Sequence, residues 1–179
     1  MRNQSLYLAC FMVLFGLAAR AQGAKPFQQD AGPGGIVSME AEHYDDNIAR
    51  GTNKWVEVGP TGGFTGVAGM QCIGAGVIKE GYATSAPALG YRINFVTTGT
   101  HYVWVRAYGA TGDDDSCHMG LDGEPIPTGL WMSGWNVVYA WSNNRSGGRA
   151  TFDITSPGVH TLNIWVREDG LIVDKIVVT

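Results

Sequence analysis

Two glutamates separated by a single residue stand in the stretch "SMEAEHYDD", residues 38–46. Side chains alternate across a β-strand, so Glu40 and Glu42 would point to one face with their backbones about 6.6–6.8 Å apart. At an effective dielectric constant of 20, two such charges repel by roughly 2.5 kcal/mol, which matters only where the pair is partly buried. Either this face is solvated and salt screens the repulsion, or a cation compensates the two carboxylates.

A third carboxylate, Asp174, interrupts the aliphatic run "GLIVDKIVVT". An acidic residue inside a buried strand normally has a partner or a metal. If the first and last strands are neighbours, as the ends of a compact domain often are, Asp174 joins Glu40 and Glu42. Three carboxylates with loop carbonyls favour Ca²⁺ over Mg²⁺, which demands a stricter geometry. An empty carboxylate cluster, or a salt bridge to Lys175 or Arg92, is the alternative.

An unusual density of aromatic rings occurs in "GLWMSGWNVVYAW", residues 129–141. Aromatic faces and polar groups held on loops are what a sugar-binding site requires. The spacing of glycine and serine predicts that Trp131 and Trp135 are exposed, and Trp141 is a further candidate for stacking on a sugar. The alternative is that these rings fill the core.

Three consecutive aspartates stand in "ATGDDDSCHMG", residues 110–120. Asp115 is a candidate for a polar contact with a sugar or for a second cation site. The alternative is an acidic turn in which Asp115 or Ser116 bonds its own backbone. His43 and His118 are interpreted as ordinary hydrogen-bonded residues.

Alternation of apolar and polar residues with period two dominates the elements that must position these groups, as in "HYVWVRAY" and "HTLNIWVRE". Strands are predicted at 36–42, 54–58, 69–73, 88–95, 101–108, 116–121, 137–141, 149–154, 160–168 and 171–178. Turns rich in Gly, Pro, Asp and Asn separate them, and no amphipathic helix of ordinary length is predicted. With 26 glycines, this pattern predicts an all-β fold, a jelly-roll β-sandwich.

The beginning of the chain predicts export from the cytoplasm. Arg2, the apolar "LYLACFMVLFGLAA" and Ala19-Arg20-Ala21 form the three parts of a signal peptide over residues 1–21. Residues 22–35 are predicted as a flexible linker and 36–179 as the folded domain. We therefore expect a secreted protein, extracellular or periplasmic.

Charge and cysteine content narrow the class of partner. The formal net charge is −4, and the sequence contains no cluster of lysine and arginine, so neither nucleic acid nor a membrane is expected as a partner. In an oxidising compartment Cys72 and Cys117 either form a disulfide or remain as two buried thiols.

A family resemblance rests on the opening "IVSMEAEHYDD", the central "GTHYVWVRAYG" and the closing "GVHTLNIWVREDGLIVDKIVVT". These stretches resemble the carbohydrate-binding modules of families 6 and 35, which are galactose-binding-domain-like β-sandwiches, and the C-terminal domain of family 115 glycoside hydrolases. The resemblance implies a structural Ca²⁺ bound by Glu40, Glu42 and Asp174.

The same resemblance implies a sugar site at the loop edge beside the turn "REDGL", residues 167–171. It makes Arg167, Glu168 and Asp169 candidate ligand contacts, with a surface ion pair among them as the alternative. Many family 6 modules carry an asparagine where this chain has Ile172, so their detailed binding mode does not transfer.

The function predicted is a non-catalytic module that binds a polysaccharide, either free-standing or beside a catalytic domain. Arg167 and Arg106 would favour a uronic acid, whereas tryptophan stacking would favour a neutral glycan. An extracellular protein-interaction domain is the first alternative. A fragment of a glycoside hydrolase is the second, and it would need two carboxylates flanking one sugar bond.

Overall fold

The computed structural model describes residues 25–59, 63–74 and 76–179, so the predicted signal peptide lies outside the described residues. The strands are β1 (Phe27–Gln28), β2 (Val37–Glu40), β3 (Asp46–Ile48), β4 (Lys54–Val58), β5 (Gly69–Ile73), β6 (Ala88–Phe95), β7 (Gly99–Tyr108), β8 (Cys117–Leu121), β9 (Glu124–Pro125), β10 (Met132–Ser133), β11 (Ala140–Ser142), β12 (Asn144–Arg145), β13 (Gly148–Arg149), β14 (Thr151–Ile154), β15 (Gly158–Val166) and β16 (Ile172–Val178). The short helix α1 (Tyr82–Ser85) and a 3₁₀ turn, Pro127–Gly129, complete the elements.

The strands form two sheets. The first has the order β1-β6-β15-β8-β10-β12-β13, with β3 on β6 and β9 on β8. The second has the order β11-β7-β16-β5-β4, with β14 on β7 and β2 on β16. The prediction of an all-β sandwich is confirmed. In the three described stretches of chain, the helices are too short and too polar to cross a membrane.

Alternating burial along the long strands builds the core between the sheets. In β7 the side chains of Val103, Val105 and Ala107 are buried, while the intervening residues face outward. From the opposite sheet, Leu162 and Ile164 of β15 are fully buried. The period-two pattern thus places one face of each strand in the core.

Ten of the strands correspond to the ten predicted ranges, with ends that differ by a few residues. The additional strands are β1, β3, β9, β10, β12 and β13, each of two or three residues. Such short pairings carry no periodic pattern, which is why the sequence does not reveal them.

Among the described residues the chain is packed from Phe27 onward rather than from Ile36, which corrects the described part of the flexible linker predicted over residues 22–35. Strand β1 pairs in parallel with β6, and the adjacent Gln29 is 1% exposed. The Oε1 atom of Gln29 accepts hydrogen bonds from the backbone N–H groups of Val96 (2.7 Å) and Thr97 (3.0 Å). The buried side chain of Gln29 fixes this segment, so a hydrophilic composition does not indicate a flexible linker here.

Cys72 and Cys117 are two buried free thiols, one in each sheet. Burial raises the pKa of each thiol to about 12, so both remain protonated at neutral pH. The sequence left open a disulfide or two buried thiols, and the structure has two buried thiols.

Candidate functional site

An open cavity of about 380 Å³ lies at the loop edge of the sandwich. The segment before α1 contributes Val77 and Lys79, the acidic loop contributes Gly112, Asp113, Asp115 and Ser116, and the turn before β16 contributes Arg167 and Glu168. Trp131, Ser133 and Ser146 complete the lining. The structure therefore brings together Asp115, Trp131, Arg167 and Glu168 of the predicted ligand contacts.

A buried ionic network forms the base of this cavity. Glu168 is 5% exposed and pairs through its carboxylate with the guanidinium of Arg167. Its other oxygen accepts hydrogen bonds from the Ser116 hydroxyl at 2.5 Å and from the Asp115 backbone N–H at 3.1 Å. The Ser116 oxygen in turn accepts from Arg167 at 2.5 Å. A hydrogen-bonded ion pair of this kind fixes the orientation of the arginine.

Asp115 lies at the rim of the same network. Partial burial raises the pKa of its carboxyl above the ordinary value, and the neighbouring charge of Glu168 acts in the same direction. Two carboxyl groups close to one arginine leave this part of the cavity rich in hydrogen-bond acceptors. A sugar hydroxyl, which is a donor and an acceptor, suits such a wall.

Trp131 forms the aromatic wall of the cavity. Its side chain is 45% exposed, and the Arg167 guanidinium lies 5.0 Å from the ring centroid. Its backbone φ is +57°, in the left-handed region that non-glycine residues rarely adopt. The loop thus holds a large apolar ring at the surface in a strained backbone conformation, an arrangement that clusters at ligand sites.

The remaining predicted contacts lie elsewhere. Trp135 is 3% exposed, and its indole N–H donates to the Val105 carbonyl at 3.2 Å; the prediction that it is exposed is wrong, because β10 and β11 turn this ring inward. Trp141 is 44% exposed on β11, opposite Arg106 of β7 in the second sheet. Neither Trp141 nor the half-buried Asp169 lines the cavity.

Sequence reasoning missed Val77, Lys79, Ser133 and Ser146 as lining residues. The pairing of Val77 with Glu168 brings the first two to the cavity. This contact joins residues far apart in the chain, and no local pattern signals it.

The three carboxylates predicted to bind calcium converge on the loop at residues 65–67. Glu40 accepts from the Thr65 hydroxyl at 3.0 Å, and Asp174 accepts from the Thr65 backbone N–H at 2.9 Å. Glu42 accepts from the Val67 backbone N–H at 2.9 Å. Strand β2 ends at Glu40 and a turn follows, so a loop, rather than the predicted shared strand face, brings the two glutamates together.

Two of these carboxylates already have cationic partners. Lys175 lies 2.5 Å from Glu40, and Arg106 pairs with the fully buried Asp174. Lys175 is one of the two partners that the sequence suggested for a salt bridge to this cluster. Arg106 is therefore engaged away from the cavity and does not contribute to a sugar site there.

Glu42 differs from the other two carboxylates because no cation pairs with it among the described residues. It is 4% exposed, and its Oε2 atom has no hydrogen-bond partner. Leaving a buried carboxylate oxygen unsatisfied is costly. No group of three acidic, histidine or cysteine side chains in the described ranges has a ready metal-binding arrangement. The oxygen donors and the unpaired Glu42 nevertheless fit a hard cation.

The two sheets form a β-sandwich with an open cavity, lined by Trp131, at one loop edge. The sequence model of the glycosyl hydrolase family 115 C-terminal domain matches residues 32–179. The chain belongs to this family, which confirms the predicted resemblance.

Solved structures with the same fold include the family 35 carbohydrate-binding module from Paenibacillus barcinonensis, with a TM-score of 0.54 and 21% identity over 79% of this chain and 97% of that one. The GH26-CBM35 β-(1,4)-mannanase of Podospora anserina matches with a TM-score of 0.53 and 14% identity, over 80% of this chain and 27% of that one. At these identities the likeness shows the fold alone.

A curated relative is the uncharacterized protein P23 of Formosa agariphila, which is 27% identical over 150 residues. The match covers 78% of this chain and 35% of the relative. The chain thus spans about a third of the length of that protein.

Proposed function

We propose that this chain is a secreted, non-catalytic carbohydrate-binding domain that holds a polysaccharide in the cavity beside Trp131. The observation that carries the proposal is the half-exposed indole of Trp131 beside the buried network of Arg167, Ser116 and Glu168. A stacking face next to fixed polar groups is the arrangement that binds a pyranose ring.

In this proposal the indole stacks on the apolar face of one sugar ring, and polar groups at the rim bind its hydroxyl groups. Arg167 and Lys79 both line the cavity and give it two cationic groups. The carboxylates of Asp113, Asp115 and Glu168 line the same cavity, and Arg167 is paired with Glu168, so the lining offers both charged donors and charged acceptors to the hydroxyl groups of a sugar. The carboxyl group of Asp115, beside the pair of Arg167 and Glu168, would accept hydrogen bonds from sugar hydroxyl groups.

The proposed Ca²⁺ is structural. Glu40, Glu42 and Asp174 would supply its side-chain oxygens, and the ion would neutralise the unpaired charge of Glu42. It would link the loop at residues 65–67 to the beginning and end of the sandwich, and so stabilise the folded state without taking part in ligand binding.

If the chain is part of a longer protein, its contribution is proximity. A domain that holds a glycan raises the effective concentration of that glycan at a tethered catalytic domain. The family to which the chain belongs, a C-terminal domain of glycoside hydrolases, supports such a partner.

Affinity gel electrophoresis tests the proposal. Purified residues 25–179 would be run through gels containing β-1,4-mannan, xylan, dextran, alginate or polygalacturonate, with CaCl₂ or with EGTA. We expect retardation in at least one gel, its loss in Trp131→Ala and its persistence in Trp141→Ala, because only Trp131 lines the cavity.

Two results would contradict the proposal. Retardation that is lost in Trp141→Ala but kept in Trp131→Ala would indicate that the glycan binds at the outer face of the second sheet instead. A folded protein that no gel retards would favour the protein-interaction alternative.

A further inference from the structure

His118 lies directly behind the cavity and connects its two sides. The residue belongs to β8, and its side chain is completely buried. The Trp131 backbone N–H donates to Nδ1 of His118 at 3.1 Å. The other ring nitrogen, Nε2, lies 3.0 Å from the carbonyl oxygen of Ile78.

These two contacts determine the tautomer of the ring. A backbone N–H is always a donor, so Nδ1 must carry a lone pair, and a carbonyl oxygen is always an acceptor, so Nε2 must carry the proton. Only the neutral Nε2–H form of His118 satisfies both partners at once. The ring of Tyr82 stacks on this imidazole at 4.0 Å between centroids and restricts its orientation.

The backbone of Trp131 requires an external anchor because its φ of +57° is unfavourable for a residue with a side chain. The loop receives one anchor from Arg145, whose Nε donates to the carbonyl oxygen of Leu130 at 3.1 Å. The pairing of Met132 with β8 and β12 holds the next residue. His118 supplies the bond that acts on Trp131 itself.

A continuous path of contacts links His118 to both the aromatic and the cationic wall of the cavity. The Ile78 backbone N–H donates to the carbonyl oxygen of Arg167 at 2.7 Å, and the Arg167 guanidinium lies against the Trp131 ring. The path therefore runs from the Trp131 backbone through His118 and Ile78 to Arg167, and returns to the Trp131 side chain. A shift of the imidazole would act on both the aromatic and the cationic wall.

We propose that His118 is a positioning residue for the glycan site: its neutral imidazole fixes the backbone of Trp131, and protonation of Nδ1 breaks that bond and releases the stacking ring. This inference rests on the proposed function. It predicts a site that binds glycan at neutral pH and loses affinity in acid by a change in the position of Trp131.

The groups that face His118 determine the pH at which its imidazole gains a proton. Burial lowers the pKa of His118 to about 4, the hydrogen bond to the Ile78 carbonyl opposes this shift, and the charge of Arg167 adds to it. Glu168 acts in the opposite sense to Arg167. Tyr82, whose own pKa is raised by burial, is uncharged in this range.

A matched pair of variants separates the two ring nitrogens. In His118→Asn, the Oδ1 atom can replace Nδ1 as the acceptor for the Trp131 N–H. In His118→Gln, the longer amide reaches the position of Nε2 and leaves that N–H without its acceptor. Amide hydrogen exchange of Trp131, followed by NMR on the ¹⁵N-labelled domain, reports the bond without any ligand.

We expect exchange at Trp131 to accelerate at least about tenfold in His118→Gln and less in His118→Asn. Retardation in polygalacturonate and β-1,4-mannan gels should weaken in the same order. Equal exchange rates in the wild type and both variants would overturn the inference. Absence of wild-type retardation in every gel would instead count against the proposed function, whatever the exchange shows.

A measurement on the unmodified domain covers the case in which the variants do not fold. Between about pH 3 and 6, the Trp131 amide resonance should shift with the same midpoint as the His118 ring resonances. Independent midpoints would overturn the inference.

Discussion

The Arg167 guanidinium lies 5.0 Å from the centroid of the Trp131 ring, and the same guanidinium is paired with the buried Glu168. The arginine is therefore fixed from below by an ion pair and presents a cation to the aromatic wall. A Trp–arginine contact of this kind contributes about 0.5–1 kcal/mol at an exposed site. Its main effect is to hold the ring in one orientation before a ligand arrives, which lowers the entropy lost on binding.

The two tryptophans of the aromatic loop should respond differently to truncation. Trp131→Ala should change the free energy of unfolding by less than about 1 kcal/mol, because the ring is half exposed. Trp135→Ala should destabilise by about 3–5 kcal/mol, because it opens a cavity in the core and leaves the Val105 carbonyl without its donor. Urea denaturation of the two variants measures both values.

The two variants serve as controls for each other, since they remove the same side chain from one loop. A large loss of stability in Trp131→Ala would show that this ring supports the fold and would weaken its assignment to ligand binding.

Arg167→Lys tests whether shape or charge matters at the cationic wall. Lysine retains the charge but lacks the planar fork that binds Glu168 and lies against Trp131. We expect glycan retardation to weaken several-fold while the melting temperature falls only slightly. Arg149→Lys is the matched control, because Arg149 lies 6.0 Å from the ring of Trp104, away from the cavity. Equal binding by the two variants would contradict a specific role for Arg167.

The long strands and the aromatic loop differ in how far their sequence predicts them. Strands β7 and β15 were predictable because sustained alternation of apolar and polar side chains is typical of a half-buried strand, and β16 because its short apolar run is typical of a buried one. The burial of Trp135 was not predictable, because it depends on the course of the segment that links β10 of the first sheet to β11 of the second, and no periodicity records that course. The spacing of glycine and serine in this loop had instead predicted that the ring is exposed.

The candidate site was predictable only in part for a related reason. Arg167 and Glu168 follow from the family resemblance, and Trp131 from the glycine and serine around it. Lys79 reaches the cavity through the pairing of Val77 with Glu168, which joins segments far apart in the chain. The anchoring role of His118 depends on two backbone partners whose identities a sequence does not contain.

Calcium should stabilise the wild-type domain and should not stabilise Glu42→Gln. If the ion binds only the folded state, a concentration about 100 times the dissociation constant adds about 2.7 kcal/mol to the free energy of unfolding. In EGTA the variant should be at least as stable as the wild type, because it removes a buried carboxylate that has no cationic partner among the described residues. Thermal unfolding in CaCl₂ and in EGTA gives both comparisons.

Glu57→Gln is the control for charge alone, since Glu57 is exposed on β4 and should leave the calcium response intact. An identical calcium response in Glu42→Gln and the wild type would remove the proposed ion from this cluster.

Gly66→Ala should disrupt the loop on which the carboxylates converge. Gly66 has a φ of +72°, and a Cβ atom there would lie 2.6 Å from Glu42 Oε1. Gly123→Ala is the matched control, because Gly123 has a φ of +83° with nothing within 4 Å. We expect the control to cost about 1 kcal/mol and Gly66→Ala to cost more and to blunt the calcium response. Equal losses of stability, with the calcium response unchanged, would show that the loop accommodates the added methyl group without displacing the carboxylates.

The stability of the domain should carry a pH dependence that originates at His118. Its pKa is about 4 in the folded state against about 6.5 in an unfolded chain, so the unfolded state binds more protons between these values. Stability should therefore fall as the pH is lowered from about 6.5 to about 4, by roughly 3 kcal/mol from this residue.

Two groups act in the opposite sense, since the pKa of Asp115 is raised by burial and that of His160 by its hydrogen bond to Asp122. The difference between wild type and His118→Asn, measured by urea denaturation from about pH 4 to 7.5, cancels these contributions. That difference should change through the acidic range and become constant above about pH 6.5, and a difference independent of pH would show that His118 is not held neutral by its surroundings.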